Sequence, residues 1–164
     1  MRQTDTDLST APPTDGAPPT LHIATDDLPW IDLVDIGGGA VIIEGKMEIK
    51  PLFRDEEKDL TVVMSRMAPG TRTCTHLHLG PVTGYTFQGA WRYLEYDWVA
   101  TAGSCIYEPP GSIHTLVVDG DEPAIVLFHV MGEIINYGPD GKVLEHSGLA
   151  GMSEADRQKA YNQA

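Results

Sequence analysis

Basic residues are scarce in this chain. Its 11 lysines and arginines face 24 acidic residues, a net charge of -13. A surface that acidic repels phosphate backbones and anionic lipid headgroups, so nucleic acid and membrane partners are set aside. Cysteine is nearly absent, with Cys74 and Cys105 alone, too few for a disulfide-stapled secreted domain. No apolar run is long enough to span a bilayer, and no apolar signal-peptide segment follows Arg2, so a cytoplasmic home is expected. Long stretches of helical periodicity are also lacking, which favours short strands over long helices.

What the chain does have is glycine (17) and proline (12) spread between short apolar runs. That pattern predicts many short strands joined by turns. Residues 1–20 hold Pro12, Pro13, Pro18 and Pro19 among small polar residues, and read as a disordered arm. Residues 21–150 carry about ten candidate strands: 41–43, 47–53, 60–67, 71–78, 83–88, 90–99, 104–108, 113–118, 125–131 and 134–143. Pro51 demotes its strand to a sheet edge. The tail, 151–164, has one helical stretch, about 154–162, with Ser153 placed to cap it. The expected architecture is an all-β barrel of jelly-roll type with a short C-terminal helix.

Within the strand at 71–78, His76 and His78 alternate with Leu77. Alternate side chains on a strand share a face, so both imidazoles point one way and can converge on one cation. A His-x-His pair alone reads equally well as two satisfied or surface histidines. The surrounding spacing decides between them. Gly70, His76, His78 and Gly89 form one spaced set, and Gly103, Pro109, Gly111 and His114 form a second. Both sets have the spacing of the two cupin motifs, and residues 28–148 resemble a cupin. More narrowly, the runs Gly89–Trp98 and Tyr107–Thr115, with Leu28-Pro29-Trp30, resemble the 2,4'-dihydroxyacetophenone dioxygenase group.

The resemblance implies a cupin barrel with His76, His78 and His114 as metal ligands. In the general pattern a glutamate ligand follows the second histidine by three to four residues. Val82 and Thr83 stand there instead, so the expected ligand set is three histidines with no carboxylate. Three-histidine cupins imply Fe(II), one per subunit. The implied reaction cleaves the C–C bond of an aromatic α-hydroxyketone with O2, and the implied assembly is a homodimer or homotetramer. Imidazole nitrogen by itself suits zinc, nickel and copper as well as iron. A metal-binding sensing or regulatory barrel and a metal-dependent isomerase are the competing readings.

Other candidates follow from position. Glu108, six residues before His114, is placed to orient a ligand or to take a substrate proton; a solvated strand-end acid is the alternative. Trp91, Tyr93 and Glu95 share one face of their strand, and Tyr96 and Trp98 the other. Tyr93, Trp98 and His129 are the candidate pocket residues, although a lone histidine in an apolar strand is more often satisfied core. Cys74 shares the side of His76 and His78, but nothing basic nearby would ionise it to a ligand. His22 and His146 read as structural or solvated.

Overall fold

The computed structural model describes residues 16, 18 and 20–144. The arm expected over 1–20 falls almost wholly outside them, and the C-terminal helix entirely so. Fourteen strands occur among the described residues, and every pairing is antiparallel. They are β1 (Ile31–Asp32), β2 (Ile42–Glu44), β3 (Met47–Asp55), β4 (Leu60–Met67), β5 (Arg72–Thr73), β6 (Thr75–His78) and β7 (Val82–Gln88), then β8 (Ala90–Tyr93), β9 (Ala100–Thr101), β10 (Cys105–Glu108), β11 (Ile113–His114), β12 (Leu116–Asp119), β13 (Ala124–Met131) and β14 (Ile134–Tyr137).

The strands form a six-stranded sheet in the order β1-β3-β4-β13-β7-β10, a five-stranded sheet β2-β5-β12-β8-β9 and a three-stranded sheet β11-β6-β14. The all-β cupin architecture holds, although pairing is not continuous around a closed barrel. Two of the expected strands are each shared between sheets. Residues 71–78 leave the five-stranded sheet at Cys74 and enter the three-stranded one, and residues 113–118 make the reverse switch at Thr115. Both changes happen where the metal-ligand candidates begin or end.

Pro51 does not put β3 at the sheet edge, because β3 lies between β1 and β4. The local effect is real, however. The two-residue β1 pairs only with Ile49 and Glu48, so Pro51 lies past it, and the register with β4 shifts between Pro51 and Phe53. A residue without an N–H is tolerated where no second neighbour asks for one.

One core cluster joins the six-stranded sheet (Met67, Ala124, Val126) to the five-stranded one (Trp91, Tyr93, Leu116, Val118). Trp91 is fully buried, and its indole N–H donates to Thr86 Oγ1 at 2.9 Å, so the ring brings no unpaired donor inside. A second cluster, Ile31, Leu33, Ile36, Ile49 and Val63, closes one end of the interior. The approach to the sheet is strapped down from outside. Trp30 lies against both Lys50 (4.8 Å from Nζ to ring centre) and Arg66 (4.4 Å from Cζ), and Lys50 Nζ donates to Thr25 O at 2.7 Å. Among the described residues no helix is long and apolar enough to cross a membrane.

Candidate metal centre

Register places the three histidines together. His114 on β11 is the direct cross-strand partner of His76 on β6, and His78 lies two residues further along the same face. Ring centres are 4.9 Å apart for His76 and His78, 4.8 Å for His76 and His114, and 5.2 Å for His78 and His114. One nitrogen from each can be chosen so that all lie within 4.8 Å of one another, a grouping that could hold a metal ion.

The bend between Glu108 and His114 locks this geometry. Gly103 and Gly111 both adopt left-handed backbone, φ 89° and 87°, where a side chain is strained. Gly111 N–H donates to His78 O at 2.8 Å, and His78 N–H donates to Ser112 O at 3.0 Å. The bend is therefore hydrogen-bonded to the strand that carries the other two histidines.

The protonation states suit ligation. Burial, then the charges of His78 and His114, push His76 down to about 3. Burial chiefly lowers His78 as well, to about 4, against the opposing pull of Glu108. Both are neutral near pH 7, as a metal ligand must be. His76 Nδ1 lies 3.1 Å from Cys74 O. A carbonyl only accepts, so Nδ1 carries the proton and Nε2 keeps its lone pair for a ligand.

Glu108 stands next to the ligand candidates. It is buried, and its Oε2 lies 3.1 Å from His78 Nε2 and 3.2 Å from His114 Nε2. The atoms grouped closely enough to hold a metal are those of the three histidines, and Glu108 lies beside that group. Val82 does occupy the position where the pattern has glutamate, and it points inward. Glu108 is its direct partner across the β7–β10 pair. The carboxylate thus comes from the neighbouring strand, which no spacing within the first motif reveals. The reading of Glu108 as a solvated strand-end acid fails with its burial.

Tyr93 completes the cluster. Its ring stacks on His114, centroids 3.6 Å apart and planes 10° from parallel, and its hydroxyl donates to Glu108 Oε1. Burial, then the Glu108 charge, holds the Tyr93 phenol well above its ordinary range. Burial alone would push Glu108 up, but contact with His114, the His78 charge and the Tyr93 hydroxyl leave it below the usual carboxylate range. Glu108 Oε2 and His114 Nε2 nevertheless lack an aligned hydrogen-bond partner, and both are buried. His78 Nδ1 lacks one too, and such orphaned buried atoms in one cluster are what a bound cation would help satisfy, so the residues present fit a divalent metal.

The cluster opens on a cavity of about 130 Å³. Its walls are mostly apolar (Leu33, Ile49, Val63, Val82, Phe128 and Ile134 among them), with Ser65, Thr73 and Asn136 as the added polar groups. Among the described residues no lysine or arginine lines it. Tyr93 lines this cavity, whereas Trp98 and His129 do not. Trp98 is partly exposed, stacked on Tyr96 outside the wall formed by Trp91 and Tyr93. On β13 the inward positions are Val126, Phe128 and Val130, so His129 faces out and contacts Thr83 Oγ1 at 3.3 Å. Cys74 is buried, its thiol pushed up by burial, and it donates to Asn136 Oδ1 at 3.4 Å. His22 lies in the partly exposed segment before β1, and His146 lies outside the described residues.

A small antiparallel β fold with a buried histidine triad at the end of an apolar cavity defines a cupin. Residues 19–134 match the ChrR cupin-like domain family, and the chain belongs to it. A cupin-like protein of unknown function from Ralstonia eutropha is 33% identical, with 82% of this chain and 81% of that chain covered and a TM-score of 0.64. An RmlC-like cupin from the same organism is 28% identical over 77% of each chain, TM-score 0.68. An acetylacetone dioxygenase from Acinetobacter johnsonii is 18% identical, with 89% and 92% covered, TM-score 0.68, a likeness of fold. No curated protein matches.

Proposed function

We propose that this chain is a non-haem iron dioxygenase that cleaves an aromatic α-hydroxyketone between its carbonyl and carbinol carbons. The substrate is 2,4'-dihydroxyacetophenone, and with O2 it yields 4-hydroxybenzoate and formate. Both oxygen atoms enter the products, one in each carboxyl group, so no further reductant is needed. The observation that carries the reading is the cavity: neutral imidazoles and one carboxylate at one end, apolar walls beyond, and, among the described residues, no lysine or arginine along it. Polyanionic substrates such as sugar acids or dicarboxylates would find no cationic side chain there to offset their desolvation. A weakly acidic aromatic ketone loses little by entering. The cavity, about 130 Å³, is close in size to an apolar cavity of about 150 Å³ that admits benzene. The particular ketone rests on the resemblance of residues 89–98 and 107–115.

An Fe(II) held by His76, His78 and His114 would supply Lewis acidity toward a chelating hydroxyketone and reactivity toward dioxygen. The protein residues do the rest. Glu108 takes the proton of the substrate hydroxyl on Oε2, the oxygen that Tyr93 leaves free. Tyr93 donates to Oε1, which keeps the carboxylate ionised and fixes its plane. Apolar walls hold the ring and exclude water, which strengthens each polar contact at the closed end.

The test is anaerobic purification, metal analysis, and oxygen uptake on adding 2,4'-dihydroxyacetophenone. Stoichiometric iron with uptake matched by 4-hydroxybenzoate and formate supports the proposal. Zinc, or iron without uptake, sinks it and moves the function to a sensing barrel or an isomerase.

A further inference from the structure

Most of the cavity wall is apolar, so its few polar groups mark what a ligand must offer. Asn136 lies at the metal end, as the cross-strand partner of His76, and its Oδ1 accepts from Cys74. Thr73 Oγ1 accepts from the Leu116 N–H at 3.1 Å. Ser65 differs from both. It is only 5% exposed and lines the cavity, yet its hydroxyl makes no hydrogen bond among the described residues. A buried hydroxyl left unpaired is unfavourable, and alanine would line the same wall without that cost.

Register fixes where Ser65 lies. Val63 and Ser65 alternate inward along β4 and line the cavity, and Met67 beyond them enters the core. Glu108, Val82 and Val130 form one inward row across β10, β7 and β13. Val63 pairs with Phe128 in the next row, and Ser65 with Val126 in the third. Two rows are four residues of strand, roughly 14 Å at about 3.4 Å each. The cavity therefore runs along the strands from the histidines and Glu108, past Phe128 and Val63, to Ser65. A hydrogen bond of about 2.8 Å at each end leaves roughly 8 Å for the ligand. That is the reach of one benzene ring with polar groups at opposite positions.

From this we infer that Ser65 receives the ring hydroxyl of a para-hydroxyphenyl ligand whose carbonyl end lies at the metal centre. The inference rests on the aromatic-ketone reading above and adds the residue that selects the ring substituent. A phenol donates to Ser65 Oγ without bringing a charge. A carboxylate at that end would be buried with no cation, since among the described residues no lysine or arginine lines the cavity. An unsubstituted ring leaves Ser65 unpaired, and a meta-hydroxyl points to the side wall instead of along the strands.

The experiment is anaerobic calorimetric titration of the metal-loaded full chain with 4'-hydroxyacetophenone, 3'-hydroxyacetophenone and acetophenone. None of these carries the carbinol that the proposed reaction needs, so binding is read without turnover. The wild type is expected to bind the 4'-hydroxy ketone roughly tenfold tighter than either of the others. Ser65→Ala, with unchanged near-UV circular dichroism and metal content, is expected to bind all of them about equally. Ser65→Thr keeps the hydroxyl and is expected to keep the preference, whatever its added methyl does to the common affinity. A packing role alone would shift the affinities together and leave their ratios fixed. A wild type that binds the ketones alike, or binds none, overturns the inference. So does a Ser65→Ala variant that keeps the preference. These outcomes separate from those of the reaction. A preference without oxygen uptake on 2,4'-dihydroxyacetophenone sinks the dioxygenase and leaves the Ser65 subsite standing, and uptake without the preference does the reverse.

Discussion

Acid should loosen this fold well before its carboxylates protonate, and the size of the effect follows from His76 and His78. Their ordinary value is 6.5, and the folded protein holds them at about 3 and about 4. A histidine whose folded value is depressed binds its proton more readily when unfolded. Stability is therefore full above pH 6.5 and falls as pH drops toward the folded values. At pH 5.5 each site costs about 1.4 kcal/mol relative to pH 7.5, so the pair costs about 3 kcal/mol. Glu108 acts in the same direction, but only below its unfolded value of 4.5, outside this window. With a urea slope of about 2 kcal/mol/M, the midpoint should move by roughly 1.5 M. The assay is urea unfolding of chelator-stripped protein at pH 7.5, 6.5 and 5.5, followed by tryptophan fluorescence. His76→Gln keeps an N–H for Cys74 O and removes one titrating site, so its loss over the same window should be about half. A wild-type change under about 0.5 kcal/mol, or an equal loss in His76→Gln, would show that these two histidines are not buried as neutral groups.

Three substitutions probe the site more directly. His114→Ala removes a ligand and the ring on which Tyr93 stacks; elemental analysis should find no metal in protein purified like the wild type. Glu108→Gln should retain metal while turnover falls by about 10²–10⁴, and normal turnover would refute the proton-accepting role. Gly111→Ala meets no neighbouring atom, so its cost is the left-handed backbone alone, about 1–2 kcal/mol. Because that bend is bonded to His78, metal affinity should fall measurably in a variant that still unfolds cooperatively; calorimetric titration with metal checks it.

The histidine triad was legible because two local rules converge. Period-two alternation puts His76 and His78 on one face, and turn residues at fixed offsets return the chain so that His114 lies opposite. Glu108 was legible as a residue placed to orient a ligand, but its reach to His78 as well as His114 was not, since that depends on pairing with Val82, a cross-strand register that spacing along one chain does not encode. The splits at Cys74 and Thr115 were hidden for the same reason: a strand changes sheets according to its partners. His129 was placed in the pocket because parity tells which residues share a face, not which face is inside, whereas Trp98 lies in the turn between β8 and β9, where strand alternation does not apply. On β13 both faces are apolar, so hydrophobicity could not choose.

The position of the carboxylate has a mechanical consequence. A glutamate on β7 would share neither backbone nor bend with His114. Glu108 and His114 instead flank one rigid turn, Pro109-Pro110-Gly111, whose Gly111 N–H and Ser112 carbonyl both bond to His78. Two proline rings fix φ on one side of the turn, and a left-handed glycine sets the other. Any displacement of that turn moves the proton acceptor and two of the three imidazoles together. Their separations are then conserved even when their common position shifts. A site built this way protects the distance between Glu108 and the histidines, the quantity on which proton transfer depends most steeply, and leaves adjustment to the apolar walls that meet the substrate.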